Sequence, residues 1–237
     1  MAARLLKFLI ALLLLPLVAG EIRTLVDLAW ISAPAGEWRA AWFASFCAGF
    51  ATWLLIFFLL PRTMWLYVLG HEFTHALAAM LAGGKVSAFR VTSSGGHVMT
   101  DRVNWWIALS PYFVPIYALI WMGLWVTVDF YHPLKAWQPI LYFGIGLFWS
   151  FHLTFTCSMI HRRQTDLSGE GYVFSAVIIV MINLLIVLLL LSFLTHDGIV
   201  GAFRLLASQV GHAYGWTWNE MEYGAAYGRA SWQRHHF

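Results

Sequence analysis

The run from Tyr172 to Leu194 reads YVFSAVIIVMINLLIVLLLLSFL and contains no charged side chain. About 20 apolar helical residues cross the roughly 30 Å hydrocarbon core of a bilayer, so this run predicts a transmembrane helix. Windows of similar length precede it at Ala40–Leu60, Thr63–Ala82, Trp105–Val128 and Trp137–Ile160. The sequence therefore predicts an all-α polytopic membrane protein with five long transmembrane helices.

Outside these windows lie two terminal segments. The first, residues 1–39, contains a short hydrophobic stretch, Leu5–Gly20, which follows two basic residues and precedes Glu21. This pattern is typical of an N-terminal anchor or a cleaved signal peptide, and we favour the anchor. We expect residues 40–194 to form the membrane-embedded core and residues 195–237, which show no clear hydrophobic period, to form a C-terminal tail that is interfacial or partly disordered.

The overall composition supports a membrane protein and argues against other classes. Hydrophobic residues make up 61% of the chain and charged residues only 11%, a balance that a water-soluble fold cannot bury. The net charge of +3 is scattered between the apolar windows and forms no basic stripe, so we expect the lipid bilayer and no nucleic acid as a partner. Both cysteines, Cys47 and Cys157, lie inside apolar windows and predict no disulfide.

Two features of the connecting segments bear on a functional site. The loops at residues 83–104 and 161–171 are separated by two predicted spans and therefore open on the same side of the membrane. Weak alternation within the first loop, around Ser93-Ser94-Gly95-Gly96, predicts a short β-hairpin at the membrane face. Pro111 and Pro115 stand inside the next window and predict a kink or broken turn there.

The second window carries the sequence His71-Glu72-Phe73-Thr74-His75. Residues four apart on a helix differ by about 40° in direction, so both imidazoles can bind one metal ion. Glu72 lies at the edge of the same face, where it can take a proton from water without being a ligand. It is also the only charged residue in the five windows, and a lone carboxylate at mid-bilayer costs about 2.5 to 3.5 kcal/mol. The pattern predicts a zinc site with Glu72 as general base; the alternative is a buried polar network that only packs helices.

Two histidines leave a catalytic zinc ion one protein ligand short. Asp166 is the favoured third ligand, because its loop opens on the same side as the end of the HEFTH helix. His152, in the middle of the fourth window, is the main alternative, and it is otherwise a core histidine. Glu170 and His97 are loop residues on the same side and stay as further candidates. Ligation by Asp166 requires that its loop dip inward or that the next helix begin early.

HEFTHALAAMLAGG at His71–Gly84, the Gly-Gly hairpin loop and QTDLSGEGYVFS at Gln164–Ser175 together resemble the compact bacterial members of the site-2 protease family. The resemblance covers roughly residues 63–194. It implies an intramembrane zinc metalloprotease in the bacterial inner membrane, with the site opening toward the cytoplasm. It also implies His71, His75 and Asp166 as zinc ligands, Glu72 as catalytic base, and the membrane segment of another protein as substrate.

Other functions remain to be separated from proteolysis. A membrane protein that binds a metal or haem through His71, His75 and His152 is one alternative, although it gives Glu72 no role. A pseudoprotease that keeps the fold and binds membrane partners is another. The sequence does not identify the substrate or the oligomeric state.

Overall fold

The computed structural model describes residues 2–32, 41–61, 64–92, 95–160, 165–192 and 198–236. The regular secondary structure of these residues consists of helices and one two-stranded antiparallel sheet. The helices are α1 Ala2–Ser32, α2 Ala41–Leu59, α3 Met64–Leu81, α4 Trp105–Leu109, α5 Ile116–Tyr131, α6 Gln138–Ile160, α7 Thr165–Glu170, α8 Tyr172–Ser192 and α9 Gly198–His236. The chain divides into two compact units, one of residues 36–179 and one of residues 1–35 with 180–237.

Several of the helices are long and apolar enough to cross a membrane. Within the described residues these are Ala2–Trp30, Ala41–Leu59, Lys135–Ile160 and Tyr172–Ser192, and the bent pair α4–α5 is a fifth if it counts as one span. The predicted span Thr63–Ala82 is not among them, because the polar side chains of the HEFTH sequence lower the hydropathy of α3. The predicted boundaries at Ala40, Thr63 and Leu194 lie outside the described residues.

The N-terminal helix corrects the prediction of a short hydrophobic segment. α1 does not end at Gly20 but continues through Glu21 to Ser32, and its first 29 residues are a candidate span. Polar residues are accommodated along this helix because α9 packs beside it: Gln209 Nε2 donates to Asp27 Oδ2 at 2.6 Å. The sequence window ended at the first acidic residue, whereas the helix buries that residue.

The C-terminal region is also more ordered than predicted, since residues 198–236 form the single helix α9. Its contact with α1 explains why a segment without a clear hydrophobic period is helical. The Tyr214 hydroxyl donates to the Leu13 carbonyl at 2.6 Å, and Leu28, Leu188 and Ala202 form a buried cluster. Tertiary packing thus stabilises a helix whose own sequence pattern is weak.

In the unit of residues 36–179, α2 and α6 pack closely through glycines. A Cβ atom placed at Gly49 would overlap the Phe143 carbonyl, and one at Gly146 would overlap the Phe46 carbonyl. Small residues allow helix backbones to approach in this way in membrane proteins. The Trp53 indole also crosses between the helices and donates to the Thr154 hydroxyl at 2.9 Å.

An aromatic cluster connects α3 to this helix pair. The Tyr67 ring stacks on Phe155 with a centroid distance of 4.7 Å, and Phe151 lies 4.8 Å from both Phe155 and Trp53. Offset aromatic pairs of this kind add about 0.5 to 1.5 kcal/mol beyond their buried area. The cluster therefore fixes the rotation of α3, the helix on which the HEFTH sequence lies.

Two predicted local features are confirmed. Strands β1 Val86–Thr92 and β2 Gly95–Thr100 form the antiparallel hairpin; its predicted turn residues Ser93 and Ser94 lie outside the described residues. The window at residues 105–128 is broken: a short 3-10 helix, Ser110–Tyr112, follows α4, and α5 begins after Pro115 at an angle of 76°. Because proline cannot donate the backbone hydrogen bond of a helix interior, the two prolines explain this break.

Candidate metal centre

α3 places the two histidines of the HEFTH sequence side by side. The Nε2 atoms of His71 and His75 are 3.2 Å apart, and the two rings meet edge to face with centroids separated by 4.8 Å. Both side chains are only partly buried, so their ring nitrogens reach the space beside the helix. This arrangement follows from the spacing of four residues, which puts both imidazoles on one helix face.

Asp166 reaches the same point from a separate short helix. Its Oδ2 atom lies 3.4 Å from His71 Nε2 and 3.5 Å from His75 Nε2. Helix α7 carries it, and buried Leu167, whose carbonyl accepts a hydrogen bond from the Ser175 hydroxyl at 3.2 Å, anchors that helix. The sequence required that the loop of Asp166 dip inward or that the next helix begin early; the structure instead shows an additional short helix, α7, between α6 and α8.

The three atoms form a triangle with sides of 3.2, 3.4 and 3.5 Å. In a tetrahedral site with metal–ligand distances of about 2.0 to 2.1 Å, neighbouring ligand atoms are about 3.3 to 3.4 Å apart. The triangle therefore has the dimensions of one face of such a site. Among the described residues, His71, His75 and Asp166 form a group that could hold a metal ion.

Each of the three side chains also has a partner that orients it. The Nδ1 atom of His75 lies 2.8 Å from the Ile107 carbonyl, which can only accept a proton, so Nδ1 carries the hydrogen and Nε2 keeps its lone pair. Tyr67 contacts His71 Nδ1 at 2.9 Å, and the Tyr112 hydroxyl donates to Asp166 Oδ2 at 3.2 Å. Such outer partners hold metal ligands in orientation. The sequence analysis did not predict any of these three partners. Only Tyr67 could have been inferred, because it lies four residues before His71 on the same helix.

The charge of Asp166 suits a metal ligand. Burial alone would raise the pKa of this carboxyl group, but the neighbouring imidazoles of His71 and His75 hold the pKa well below its usual range. The side chain is therefore a carboxylate at neutral pH, with a lone pair available for a cation.

Glu72 shares a cavity with the three candidate ligands. The cavity has a volume of about 470 Å³, and α3, α4, α7 and strand β2 contribute to its walls. Glu72 itself is buried, and the hairpin packs against it: a Cβ atom at Gly96 would lie only 2.6 Å from Glu72 Cγ. The carboxylate is thus held at the cavity wall and is not one of the three grouped ligand residues.

The other candidate ligands lie apart from the group of three. His152 is buried on α6 and borders a different, smaller cavity, which His71 also lines. His97, on strand β2, borders the larger cavity but is not part of the group. Glu170, at the end of α7, is also outside the group. The structure therefore favours Asp166 among the four candidates for the third ligand.

Comparison of the chain with protein-family models, with curated proteins and with solved structures finds no match. The resemblance to the site-2 protease family stays a prediction.

Proposed function

We propose that the protein is a membrane-embedded zinc metalloprotease that hydrolyses peptide bonds in or near transmembrane segments of other proteins. The triangle of ligand atoms from His71, His75 and Asp166, with Glu72 on the wall of the same cavity, carries this proposal. Two imidazoles and one carboxylate are a ligand set of hydrolytic zinc enzymes, which keep a fourth position open for water or substrate. The sequence resemblance supports the same activity and a bacterial inner membrane.

Zinc suits this set of donors better than the common alternatives. It binds imidazole nitrogen and carboxylate oxygen and has no geometric preference of its own, whereas magnesium and calcium favour sites made of oxygen alone. Haem iron takes axial ligands on opposite faces of a ring, and two nitrogens 3.2 Å apart on the same helix face cannot provide them. The burial of Glu72 beside the histidines also has a use in a hydrolytic site, whereas a haem site gives this carboxylate no role.

The residues of the site would divide the work of hydrolysis. Bound zinc would lower the pKa of a water molecule and polarise the carbonyl of the scissile bond. Glu72 would accept the proton that the water loses as the new C–O bond forms, and deliver it to the amine nitrogen as the C–N bond breaks. By accepting hydrogen bonds from the Nδ1 atoms of His75 and His71, the carbonyl of Ile107 and the hydroxyl oxygen of Tyr67 would keep both Nε2 atoms free for the metal.

Cleavage requires an extended stretch of substrate, because the carbonyl groups of a helix are engaged in hydrogen bonds. The hairpin borders the cavity, and each of its two strands is an edge of the sheet. Strand β2 is thus placed to pair with a locally unwound substrate segment by strand addition.

Metal dependence of cleavage tests the proposal. The purified protein would be reconstituted into liposomes with a labelled single-span reporter whose helix carries a central Gly-Pro pair. We expect about one zinc ion per chain, cleavage of the reporter, loss of cleavage after chelation and recovery on addition of Zn²⁺. His71→Ala is the matched control and should neither hold zinc nor cleave. Stoichiometric haem, absence of zinc after mild purification, or undiminished cleavage after chelation would contradict the proposal.

A further inference from the structure

We propose that Tyr112 is a positioning residue of the metal centre, which selects the oxygen of Asp166 that faces the ligand triangle. This inference rests on the proposed metal site and adds a component to it. The Tyr112 hydroxyl donates to Oδ2 at 3.2 Å, and Oδ2 is the same atom that lies within 3.5 Å of both histidine nitrogens. The hydrogen bond therefore acts on the atom that would bind the metal.

A carboxylate has two equivalent oxygens and rotates easily unless a partner holds it. Asp166 needs such a partner because it lies in the first turn of α7, a helix of six residues. A donor fixed in the protein interior favours the rotation that brings one chosen oxygen toward the histidines. Outer hydrogen bonds of this kind typically change metal affinity about 10- to 100-fold.

Tyr112 is well suited to be that fixed donor. Its side chain is fully buried, and its ring packs edge to face on His71 with a centroid distance of 5.3 Å. Its backbone carbonyl accepts a hydrogen bond from the Thr156 hydroxyl of α6 at 3.4 Å. Tyr112 thus contacts three helices of the site: α3, which carries the histidines, α7, which carries Asp166, and α6.

The 3-10 helix after α4 explains how a residue of this window reaches the site. Tyr112 is the last residue of this 3-10 helix and lies on the α4 side of the 76° bend, which separates Trp105–Tyr112 from α5. Because a 3-10 helix has about 3.0 residues per turn instead of about 3.6, the side chain of Tyr112 does not keep the rotation that a continued α-helix would give it. The 3-10 turn that contains Pro111 therefore has a functional consequence, since it presents the tyrosine hydroxyl to Asp166.

The test compares zinc affinity in three proteins by competition with a chromogenic chelator. Tyr112→Phe removes only the hydroxyl group and should weaken zinc binding about 10- to 100-fold. Tyr117→Phe is the matched control: it removes a hydroxyl on α5, beyond the chain break, that donates to the Leu66 carbonyl on α3, and it should bind zinc like the wild type. Thermal unfolding of each variant in the absence of metal reports whether the fold is kept.

A double-mutant cycle shows whether Tyr112 acts through Asp166. In an Asp166→Ala background, Tyr112→Phe should cause no further loss of zinc affinity, because the group that it positions is absent. The Co²⁺-substituted Tyr112→Phe protein should also show an altered visible spectrum, since the ligand oxygen is no longer held. Wild-type affinity of Tyr112→Phe, or equal losses from Tyr112→Phe with and without Asp166, would overturn the inference. A wild-type protein that binds no zinc would instead refute the metal site itself.

Discussion

Glu72 and Glu21 are two acidic residues buried in long helices of the described chain, with 8% and 2% of their surface exposed. Their surroundings differ. Glu72 lies on the wall of a cavity beside two histidines and an aspartate, whereas Glu21 lies on α1, a candidate membrane span, and its Oε2 atom has no hydrogen-bond partner among the described residues. Burial of a carboxylate is therefore not enough to indicate a catalytic site, and a set of converging groups around a cavity is the informative feature.

The largest effect on cleavage is expected when the charge of Glu72 is removed, and the same substitution at Glu21 serves as the comparison. Glu72→Gln should lower cleavage of the liposome reporter by about 10²- to 10⁴-fold, the usual contribution of a general base, while zinc content stays near that of the wild type. Glu21→Gln should cleave at the wild-type rate, because Glu21 is not among the described residues that line the cavity of Glu72. Equal cleavage by the two variants would show that Glu72 does not act as the general base.

The next largest effect is expected on zinc binding, which should distinguish Asp166 from His152, the main alternative for the third ligand. Asp166→Ala should weaken zinc binding by more than about 100-fold, since loss of an outer partner alone costs about 10- to 100-fold. His152→Ala should bind zinc like the wild type, because His152 borders a different cavity. Metal analysis after dialysis against a chelator distinguishes them, and the reverse result would make His152 the ligand.

The close contact between the hairpin and Glu72 can be tested with one methyl group. Gly96→Ala would place a Cβ atom 2.6 Å from Glu72 Cγ and 2.8 Å from the Arg90 carbonyl, and we expect a destabilisation of about 1 to 3 kcal/mol with reduced cleavage. Gly123→Ala on α5 is the control, since nothing lies within 4 Å of its added Cβ. Thermal unfolding in detergent measures both, and equal melting temperatures would show that the hairpin does not constrain Glu72.

The smallest effect is expected in the other unit. Gln209→Met removes the donor to Asp27 and should cost about 1 kcal/mol of stability, the net value of one hydrogen bond. Zinc affinity and cleavage should not change. Ser208→Ala, at an exposed neighbouring position, should leave the unfolding midpoint where it is in the wild type. A loss of zinc from Gln209→Met would contradict this prediction.

The sequence predicted those features that depend on spacing within a single segment. Apolar length indicated most of the candidate spans, Pro111 and Pro115 indicated the break, and the interval of four residues indicated that His71 and His75 share a face. Asp166 was the favoured third ligand from loop position alone, and the structure brings it to the histidines.

Apart from Asp166, features that depend on contacts between distant segments were not predicted. The extension of α1 through Glu21 and the single helix α9 stabilise each other, and neither has a clear signal without the other. The contacts of Tyr112 with Asp166 and of the Ile107 carbonyl with His75 join residues that are 54 and 32 positions apart in the sequence. The length of the window Thr63–Ala82 predicted a membrane span. The polar side chains of HEFTH lower the hydropathy of α3, however, and this helix is not among the candidate spans.

The close approach at the glycines of α2 and α6 makes these two helices a closed pair. Where Gly49 and Gly146 bring the two backbones together, there is no space between the helices, and separating them would expose closely packed aromatic rings. The hairpin, in contrast, is a two-stranded element that packs on α3, and the Arg102 guanidinium at its base donates to the Ala82 carbonyl at 2.8 Å. Because strand β2 forms part of the cavity wall, displacement of the hairpin from α3 would widen the cavity while the α2–α6 pair stays closed.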